Sequence, residues 1–314
     1  MSRLRNTRTD GPENAPARCP PLPVCHGVAP SRVYLPDGPW VTVLEFLVER
    51  FRFMEPQILR ERLELGVIVD GAGTSQRVDT PYRARQWLWY YRDVPHEVPV
   101  PFDLDILFRD EHLVVVDKPH FLASTPGGRY VRETALTRLR DQLNLPLLCP
   151  IHRLDRETAG VMMFCVAPAS RAAYQTLFQY HRVAKEYEAV APWHDDLMLP
   201  CVHRSRLQTA QPHFMVREMA GEPNSETRIE LVQRMGTLAR YRLLPRTGRK
   251  HQLRVHLSAL GIPICNDPFY PVPRARREDD DYEHPLQLLA RAIEFDDPFS
   301  GSRRRFESRR RLAL

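Results

Sequence analysis

One short stretch constrains the fold of this chain most: residues 151–160 (IHRLDRETAG) lead directly into an apolar run that ends at Val166. A short apolar run next to a charged segment is typical of a buried strand. It predicts a strand that starts at Gly160, with Asp155 in the charged turn before it. Arg153 and Arg156 flank this carboxylate, and taken alone the pattern is more typical of a surface turn than of a functional site.

A second cation-rich stretch, PRTGRKHQLRVHL at 245–257, follows about a hundred residues later. Its apolar residues recur at helical spacing and predict a helix over about 250–260. Arg254 falls on a different face from these apolar residues, so we expect a rigid element to present it as a counterion for Asp155. The turn at 247–250 is rich in cations and backbone amides that suit phosphate groups.

Metal ligation is not expected from the histidines or the cysteines. His251 shares the predicted helix face of Arg254, but it is five residues from His256, whereas ligands on one helix face are three or four apart. The six cysteines contain no Cys-x-x-Cys pair, so a zinc site is not favoured. Scattered free thiols fit a reducing compartment.

The charge balance favours a polyanionic partner. The chain has 45 Lys and Arg against 39 Asp and Glu, a net charge of +6, and arginine suits bidentate contacts with phosphate. Simple solubility would also explain a charge of this size. No segment resembles a signal peptide or approaches the roughly 20 apolar residues that span a bilayer. We therefore expect a cytoplasmic protein with no membrane partner, and a monomer by default.

The composition divides the chain into four segments. Residues 1–35 are rich in Pro, Arg and Asn without apolar periodicity, which predicts a disordered arm. Residues 36–95 form a small module, and after a Pro-rich linker a larger domain occupies 103–300. Residues 301–314 are an arginine-rich tail that either contacts a phosphate backbone or is a frayed end.

The small module has an order of elements that suggests RNA binding. Helices are predicted at 42–52 and from Pro56 to Leu65, followed by a short strand at 67–69 and a tight turn at Asp70-Gly71. Two helices followed by Gly-Val-x-Val-Asp-Gly resemble the small RNA-binding domain of the ribosomal-protein-S-four type. A plain structural subdomain is the competing interpretation.

The larger domain alternates short strands with a few helices. Such an order is typical of an α+β fold with a mainly antiparallel or mixed sheet. The predicted strands lie at 113–116, 160–166, 183–190, 225–232 and 237–244, and the predicted helices at 132–145, 168–180 and 250–260.

Four motifs of this domain, in order and at compatible spacing, resemble those of the RluA-type pseudouridine synthases. They are Asp-x-x-Leu-Val-Val-Val-Asp-Lys-Pro at 110–119, His-Arg-Leu-Asp-Arg-x-Thr-x-Gly at 152–160, Lys-x-Tyr-x-Ala at 185–189, and Thr-Gly-Arg-Lys-His-Gln-Leu-Arg-Val-His-Leu at 247–257 with Gly-x-Pro-Ile-x-x-Asp-x-x-Tyr at 261–270.

The resemblance implies a reaction and three catalytic residues. Members of this family use no metal or organic cofactor; they flip a uridine out of structured RNA, break the bond from base to ribose and rejoin the turned uracil through carbon. Asp155 would be the nucleophile or base, Arg254 would keep it ionised, and Tyr187 would stack on the extruded base. Attack on the base, attack on the sugar and removal of a sugar proton remain open.

The resemblance also suggests contacts with RNA. Arg153, two residues before the aspartate, matches a position that enters the RNA and helps to displace the target base. The remaining predicted contacts are His152, Lys118, Lys185, Arg249, Lys250 and His251. A buried structural role is the competing interpretation for the first two of these lysines, and Arg156 receives no role.

We therefore predict site-specific conversion of uridine to pseudouridine in ribosomal RNA, transfer RNA or both. The rival from another class is an RNA-binding or ribosome-assembly factor that uses the same fold without catalysis. An unrelated aspartate-dependent hydrolase is less favoured, because its chemistry needs a second, paired carboxylate near Asp155, and the sequence offers none.

Overall fold

The computed structural model of the protein describes residues 20–92, 97–211, 215–275, 278 and 281–313. The chain divides near residue 95 into two compact units. Residues 1–19 of the predicted disordered arm lie outside the described part. The arm prediction is wrong for its last residues, because Ser31–Leu35 forms strand β1 and pairs with a strand near the end of the first unit.

The described residues of the first unit form two helices and a two-stranded antiparallel sheet. Helices α1 (Val43–Arg50) and α2 (Pro56–Glu64) occupy the predicted positions, and β1 pairs with β2 (Gln86–Tyr90). Their apolar faces meet in one core. The turn at Asp70 forms as predicted, but Val69 makes only isolated bridges to Ser75 and Trp89 instead of a regular strand.

In the second unit the described residues form one mixed sheet of eleven strands. The strands are β3 (Asp105–Arg109), β4 (Leu113–Lys118), β5 (Cys149–Pro150), β6 (Ala159–Cys165), β7 (Val183–Pro192), β8 (Cys201–Thr209), β9 (Val216–Met219), β10 (Ser225–Met235), β11 (Leu238–Pro245), β12 (Leu288–Asp296) and β13 (Arg303–Glu307). Their order is β3-β4-β6-β12-β7-β11-β10-β8-β9, with β13 paired to β12 and β5 to β6. The predicted α+β fold with a mixed, mainly antiparallel sheet is confirmed.

Three helices cover this sheet at the predicted positions. Apolar residues of α3 (Ala135–Leu143) and α4 (Arg171–Gln179) pack in separate cores that share the buried strands β4 and β6. Helix α5 (Gln252–Ala259) packs Leu253 and Leu257 against β7, β10 and β11, as its periodicity predicts. No helix of the described residues is long and apolar enough to cross a membrane.

Gly160 lies where the parallel pair β6 and β12 meets. Its φ is +113°, and it lies opposite Ala290 in the register. A Cβ on this glycine would come within 2.2 Å of the Ala290 carbonyl oxygen, so no other residue fits without backbone movement. This close approach fixes where β6 starts, and with it the turn that carries Asp155.

Successive side chains of strand β7 point to opposite faces of the sheet. Lys185 and Tyr187 line a cavity on one face. Glu186 and Glu188 point to the other, where they pair with Arg305 at 3.3 Å and Arg291 at 2.8 Å. Because side chains alternate along a strand, the basic and aromatic residues of β7 lie on the cavity face of the sheet and its acidic residues on the other face.

The predicted C-terminal tail is part of this fold. Residues 303–307 form β13, which pairs with β12, so the prediction of a free or frayed tail is wrong there. Arg304 pairs with Asp110 and Asp297, and Arg310 pairs with Asp105 and Asp117. The second unit therefore extends past residue 300, and most of the tail's arginines are neutralised by carboxylates rather than left for phosphate.

Candidate active site

A cavity of about 580 Å³ on the second unit brings the two cation-rich stretches together. Nine of the ten residues predicted for the site line it: Asp155, Tyr187, Arg254, Arg153, His152, Lys185, Arg249, Lys250 and His251. The exception is Lys118. Leu288 of β12 and Phe178 and His181 at the end of α4 also line the cavity, and sequence reasoning had not singled them out.

Asp155 and Arg254 are paired, as the sequence predicted. Arg254 Nη1 donates to Asp155 Oδ2 at 3.2 Å. Arg254 extends from α5 and is only 1% exposed, so it is a buried counterion and not a surface arginine. The turn of Asp155 is closed by a bond from the Thr158 amide to the Asp155 carbonyl, just before β6 begins.

A second carboxylate, Asp267, holds the arginine from the other side. Arg254 Nε and Nη2 donate to Asp267 at 2.7 and 2.6 Å, and the backbone amides of Phe269 and Tyr270 donate to the same carboxylate. Burial alone would lower the pKa of Arg254, but Asp267 and then Asp155 raise it above its usual value. Asp267 lies in the last of the four sequence motifs, but the sequence did not indicate what it does.

Tyr187 extends from β7 into the cavity. Burial, and then the charge of Asp155, raise the pKa of its phenol, so the group stays protonated near neutral pH. Within the described part of the chain its hydroxyl has no hydrogen-bond partner, unlike Tyr241, whose hydroxyl donates to the Pro192 carbonyl. The ring itself packs against two of the core clusters.

His251 is a neutral neighbour of Asp155. It caps α5 with a left-handed backbone, φ +55°, so it precedes the helix and does not share its regular face, contrary to the prediction. Burial lowers the pKa of His251 to about 4. Its Nε2, 3.8 Å from Asp155 Oδ2, therefore makes no ion pair at neutral pH, while Nδ1 lies 2.9 Å from the Tyr270 hydroxyl.

Lys118 does not line the cavity, and the prediction that it contacts RNA is wrong for this conformation. Its side chain is fully buried at the end of β4, and Nζ donates to the carbonyls of Pro119, Leu122 and Arg156 at 2.9, 2.8 and 3.3 Å. Burial lowers its pKa to about 7. The competing structural interpretation holds, because Lys118 ties this strand end to the turn that contains Asp155.

Arg156 also supports that turn. It pairs with Glu157 at 2.5 Å, and its guanidinium lies over the rings of Tyr130 and Phe121, with centroids at 5.1 and 5.7 Å. Both contacts are partly buried, so the arginine left unassigned by sequence is a packing residue. The two arginines that flank Asp155 thus differ, since Arg153 is exposed at the cavity.

His152 and Lys185 line the cavity but are bound to protein groups. His152 Nε2 accepts from the Met163 amide at 3.1 Å, and its ring stacks on Phe178. Burial, and then Lys185, lower its pKa to about 3, so it is a neutral wall residue. Lys185 Nζ donates to the Thr247 carbonyl at 2.9 Å, and burial lowers its pKa to about 8.

Three exposed cations surround the opening: Arg153, Arg249 and Lys250, here called the cationic rim. Arg249 Nε donates to the Asn224 carbonyl at 3.2 Å, whereas in the described residues the side chain of Arg153 has no ion-pair partner. His181 lies beside them with a left-handed backbone, φ +55°, at the end of α4. A cationic opening above a carboxylate is suited to a polyanion that delivers a neutral group to the cavity.

A cluster of possible metal ligands, His203, Glu218 and His256, occurs in the described residues away from the cavity lining. His203 Nε2 lies 2.7 Å from Glu218 Oε1. The two ring nitrogens of His256 lie 2.9 Å from Thr227 Oγ1 and 3.0 Å from Ser225 Oγ. Protein groups thus already satisfy these donors and acceptors.

Comparison with known proteins places the chain. A sequence profile of the family described as RNA pseudouridylate synthase matches residues 112–259. An uncharacterised RNA pseudouridine synthase of Synechocystis is 32% identical over 235 residues, which cover 73% of this chain and 79% of that protein. The dual-specificity RNA pseudouridine synthase RluA of Haemophilus influenzae is 32% identical over 201 residues, which cover 58% of this chain and 84% of that enzyme.

The chain belongs to the RluA-type RNA pseudouridine synthases. The Escherichia coli enzyme named RluA is 36% identical over 182 residues, which cover 55% of this synthase and 80% of that protein. The resemblance seen in the four sequence motifs is confirmed, and an unrelated hydrolase is excluded.

Solved structures agree on the fold of the synthase. The human RNA pseudouridylate synthase domain containing 1 superposes with a TM-score of 0.53 at 21% identity, over 66% of this chain and 84% of that one. The human RNA pseudouridylate synthase domain containing 4 superposes with a TM-score of 0.51 at 24% identity, over 66% of this chain and 88% of that one.

Proposed function

We propose that this synthase converts uridine to pseudouridine at a defined position of structured RNA, with Asp155 as the catalytic nucleophile or base. The observation that carries the proposal is the placement of Asp155 in a cationic cavity, 3.2 Å from a buried arginine and in the same cavity wall as Tyr187. This arrangement supplies the ionised carboxylate, the counterion and the stacking ring that the reaction requires.

Arg254 pairs with Asp155 and orients it. The guanidinium is itself fixed by Asp267, so it does not need to reorganise when the nucleoside enters. Because the arginine serves two carboxylates, the three side chains carry a net charge of −1. An anion that is held but not fully neutralised remains available to the glycosidic bond or the sugar.

Tyr187 stacks on the extruded base. A flipped uracil needs a flat apolar surface to replace the neighbours that it loses in the RNA, and each base–aromatic stack contributes roughly 1–3 kcal/mol. The raised pKa of Tyr187 keeps the ring neutral beside Asp155. Attack on the base, attack on the sugar and removal of a sugar proton all remain compatible with this geometry.

The cationic rim holds the RNA backbone. Arg153 enters the RNA and helps to displace the target uridine, while Arg249 and Lys250 contact phosphates beside it. His152, Lys185 and His251 act from the wall of the cavity, where their contacts with protein groups orient them. No metal or organic cofactor has a role in this scheme.

Two relatives carry dual specificity in their names, and we propose that this synthase also modifies ribosomal RNA, transfer RNA or both. In our proposal the first unit, which contains the 36–95 module, is an additional RNA-binding module. We further propose that the protein acts as a cytoplasmic monomer.

Tritium release from RNA that contains [5-³H]uridine tests the proposal, because rejoining through carbon 5 displaces that hydrogen. Purified protein should release tritium from total cellular RNA, and Asp155→Asn should release none while still binding RNA through its distributed cations. Normal turnover by the variant would exclude Asp155 as the catalytic group. RNA binding without release by the unaltered protein would favour the assembly-factor alternative. Mapping of pseudouridine in cells that lack the protein then identifies the target.

A further inference from the structure

The 247–250 turn connects β11 to α5 and carries two members of the cationic rim, Arg249 and Lys250. Both side chains are exposed at the cavity. Exposed turns of this kind are usually the least constrained parts of a fold. Here, buried or partly buried side chains form hydrogen bonds with the turn on its protein side.

Gln252 makes the central connection. Its side chain is 4% exposed, and Oε1 accepts from Thr247 Oγ1 at 2.7 Å and from the Arg249 amide at 3.0 Å. Its Nε2 donates to the Glu226 carbonyl at 3.0 Å and to Thr227 Oγ1 at 2.9 Å. Both donors and both acceptor positions of the amide are therefore used, which joins the turn to the buried part of β10.

Thr247 receives two further contacts. Its Oγ1 accepts from the Glu226 amide at 3.0 Å, and its carbonyl accepts from Lys185 Nζ at 2.9 Å. Lys185 extends from β7, the neighbour of β11 in the sheet, so the turn is tied to β7 and β10 as well as to the helix that follows it. A polar network in which every member is paired specifies one conformation.

We infer that Gln252 and Lys185 are positioning residues that hold the 247–250 turn ready for RNA, so that Arg249 and Lys250 meet phosphates without first being ordered. This inference rests on the proposed function, because it assigns RNA phosphates as the ligands of that turn. Preorganisation strengthens binding by removing the entropy loss of ordering the turn in the complex. Lys185 thus acts on RNA through Thr247 and not as a phosphate contact of its own.

The test compares RNA affinity with turnover. Gln252→Met keeps the side-chain length and removes all four hydrogen bonds. In an Asp155→Asn background, where no turnover occurs, this change should weaken binding of a synthetic hairpin RNA with a uridine-rich loop by about tenfold. The slope of log Kd against log salt concentration should stay unchanged, because Arg249 and Lys250 still contact phosphates once the turn is ordered in the complex. In the active background, kcat at saturating RNA should stay within about twofold.

Matched variants separate positioning from general destabilisation. Gln233→Met makes the same change at an exposed glutamine of β10 and should alter neither affinity nor salt slope. Thr247→Val removes only the hydroxyl link and should give a smaller loss of affinity, which keeps the test usable if Gln252→Met fails to fold. An unchanged Kd for Thr247→Val and Gln252→Met, or a fall in kcat at unchanged Kd, would overturn the inference.

A double-variant cycle tests the role of Lys185. If Lys185 and Gln252 hold the same turn, Lys185→Met combined with Gln252→Met should weaken binding little more than either change alone. Fully additive losses would identify Lys185 as a separate phosphate contact and contradict its positioning role. These outcomes are measured by binding alone. Lack of tritium release by the unaltered protein would therefore refute the proposed function and leave the result for the turn intact.

Discussion

Arg254 donates two hydrogen bonds to Asp267, at 2.7 and 2.6 Å, and each of the two side chains is only 1% exposed. This buried bidentate pair fixes the guanidinium plane and leaves one edge, Nη1, for Asp155. Asp155, which faces the cavity, is therefore oriented through Arg254 by Asp267, a carboxylate that does not line the cavity. Asp267 is thus a second carboxylate close to the site, but it pairs with the arginine and does not face the cavity.

Asp267→Asn should destabilise the protein and lower its turnover rate. Removing one charge of a buried pair leaves the other poorly compensated, which costs about 3 kcal/mol in the free energy of unfolding. Turnover should fall by at least about tenfold, because Arg254 is no longer held in one orientation. Urea unfolding and tritium release measure the two effects. Asp195→Asn breaks an exposed pair with Arg234 and should change the unfolding free energy by less than about 1 kcal/mol. Equal unfolding midpoints for the two variants would contradict this prediction.

Tyr187→Leu should lower kcat/KM by roughly 5- to 150-fold, which corresponds to the 1–3 kcal/mol of one base–aromatic stack. Tyr187→Phe keeps the ring and should bind RNA with nearly unaltered affinity. Fluorescence titration with a hairpin RNA and steady-state tritium release check both variants. If phenylalanine and leucine weaken binding equally, the ring does not stack on the base and the role assigned to Tyr187 is wrong.

Variants of two lysines, Lys118 and Lys250, distinguish a structural role from an RNA-binding role. Lys118→Met removes hydrogen bonds to three carbonyls in a fully buried site and should lower the unfolding free energy by about 1–3 kcal/mol, with unaltered RNA affinity. Lys250→Met changes an exposed lysine of the cationic rim and should weaken RNA binding without affecting stability. Unfolding curves and filter-binding isotherms of both variants give the comparison, and the reverse pattern would contradict the assignment.

Acid should destabilise the protein through its buried histidines. Burial lowers the pKa of His256 to about 4 from 6.5, with a contribution from His203 opposed by Glu218. Between these values the unfolded chain binds a proton that the native state excludes. Stability is therefore lost as pH falls from 6.5 toward 4, by up to about 1.4 kcal/mol per pH unit.

His256→Asn should flatten this acid dependence, although it also loses native hydrogen bonds at neutral pH. Urea midpoints at pH 7.5 and pH 5 give the slope. His181→Asn alters an exposed histidine and should leave the slope unchanged. A His256→Asn slope as steep as that of the unaltered protein would show that other groups are responsible.

The sequence predicted the elements whose residues follow a clear period. Residues 113–116 and 159–165, which form most of two buried strands, are uninterrupted apolar runs, and α5 repeats its leucines at helical spacing. The pairing of Asp155 with Arg254 also followed, because both residues lie in motifs that resemble one family. These signals are local, and burial of an apolar period allows few alternatives.

Elements held by charge or by distant partners could not be predicted in this way. Strand β13 reads Arg-Arg-Arg-Phe-Glu, and it is a strand because Glu294 and Asp296 of β12 and Glu186 of β7 neutralise its arginines. The sequence left Lys118 between a buried structural role and a contact with RNA, because no local pattern reveals that three carbonyls accept from it. The role of Asp267 likewise depends on a contact that only the folded chain creates.

The two-sided arrangement of β7 makes that strand intolerant of changes in length. Deleting one residue before Lys185 would shift every later side chain to the opposite face. Two glutamates would then enter the cavity that receives RNA, and the stacking tyrosine would lie among the ion pairs beyond the sheet. Single substitutions in β7 therefore remove one contact each, whereas a one-codon deletion would invert the sign of charge that the cavity presents to its polyanionic substrate.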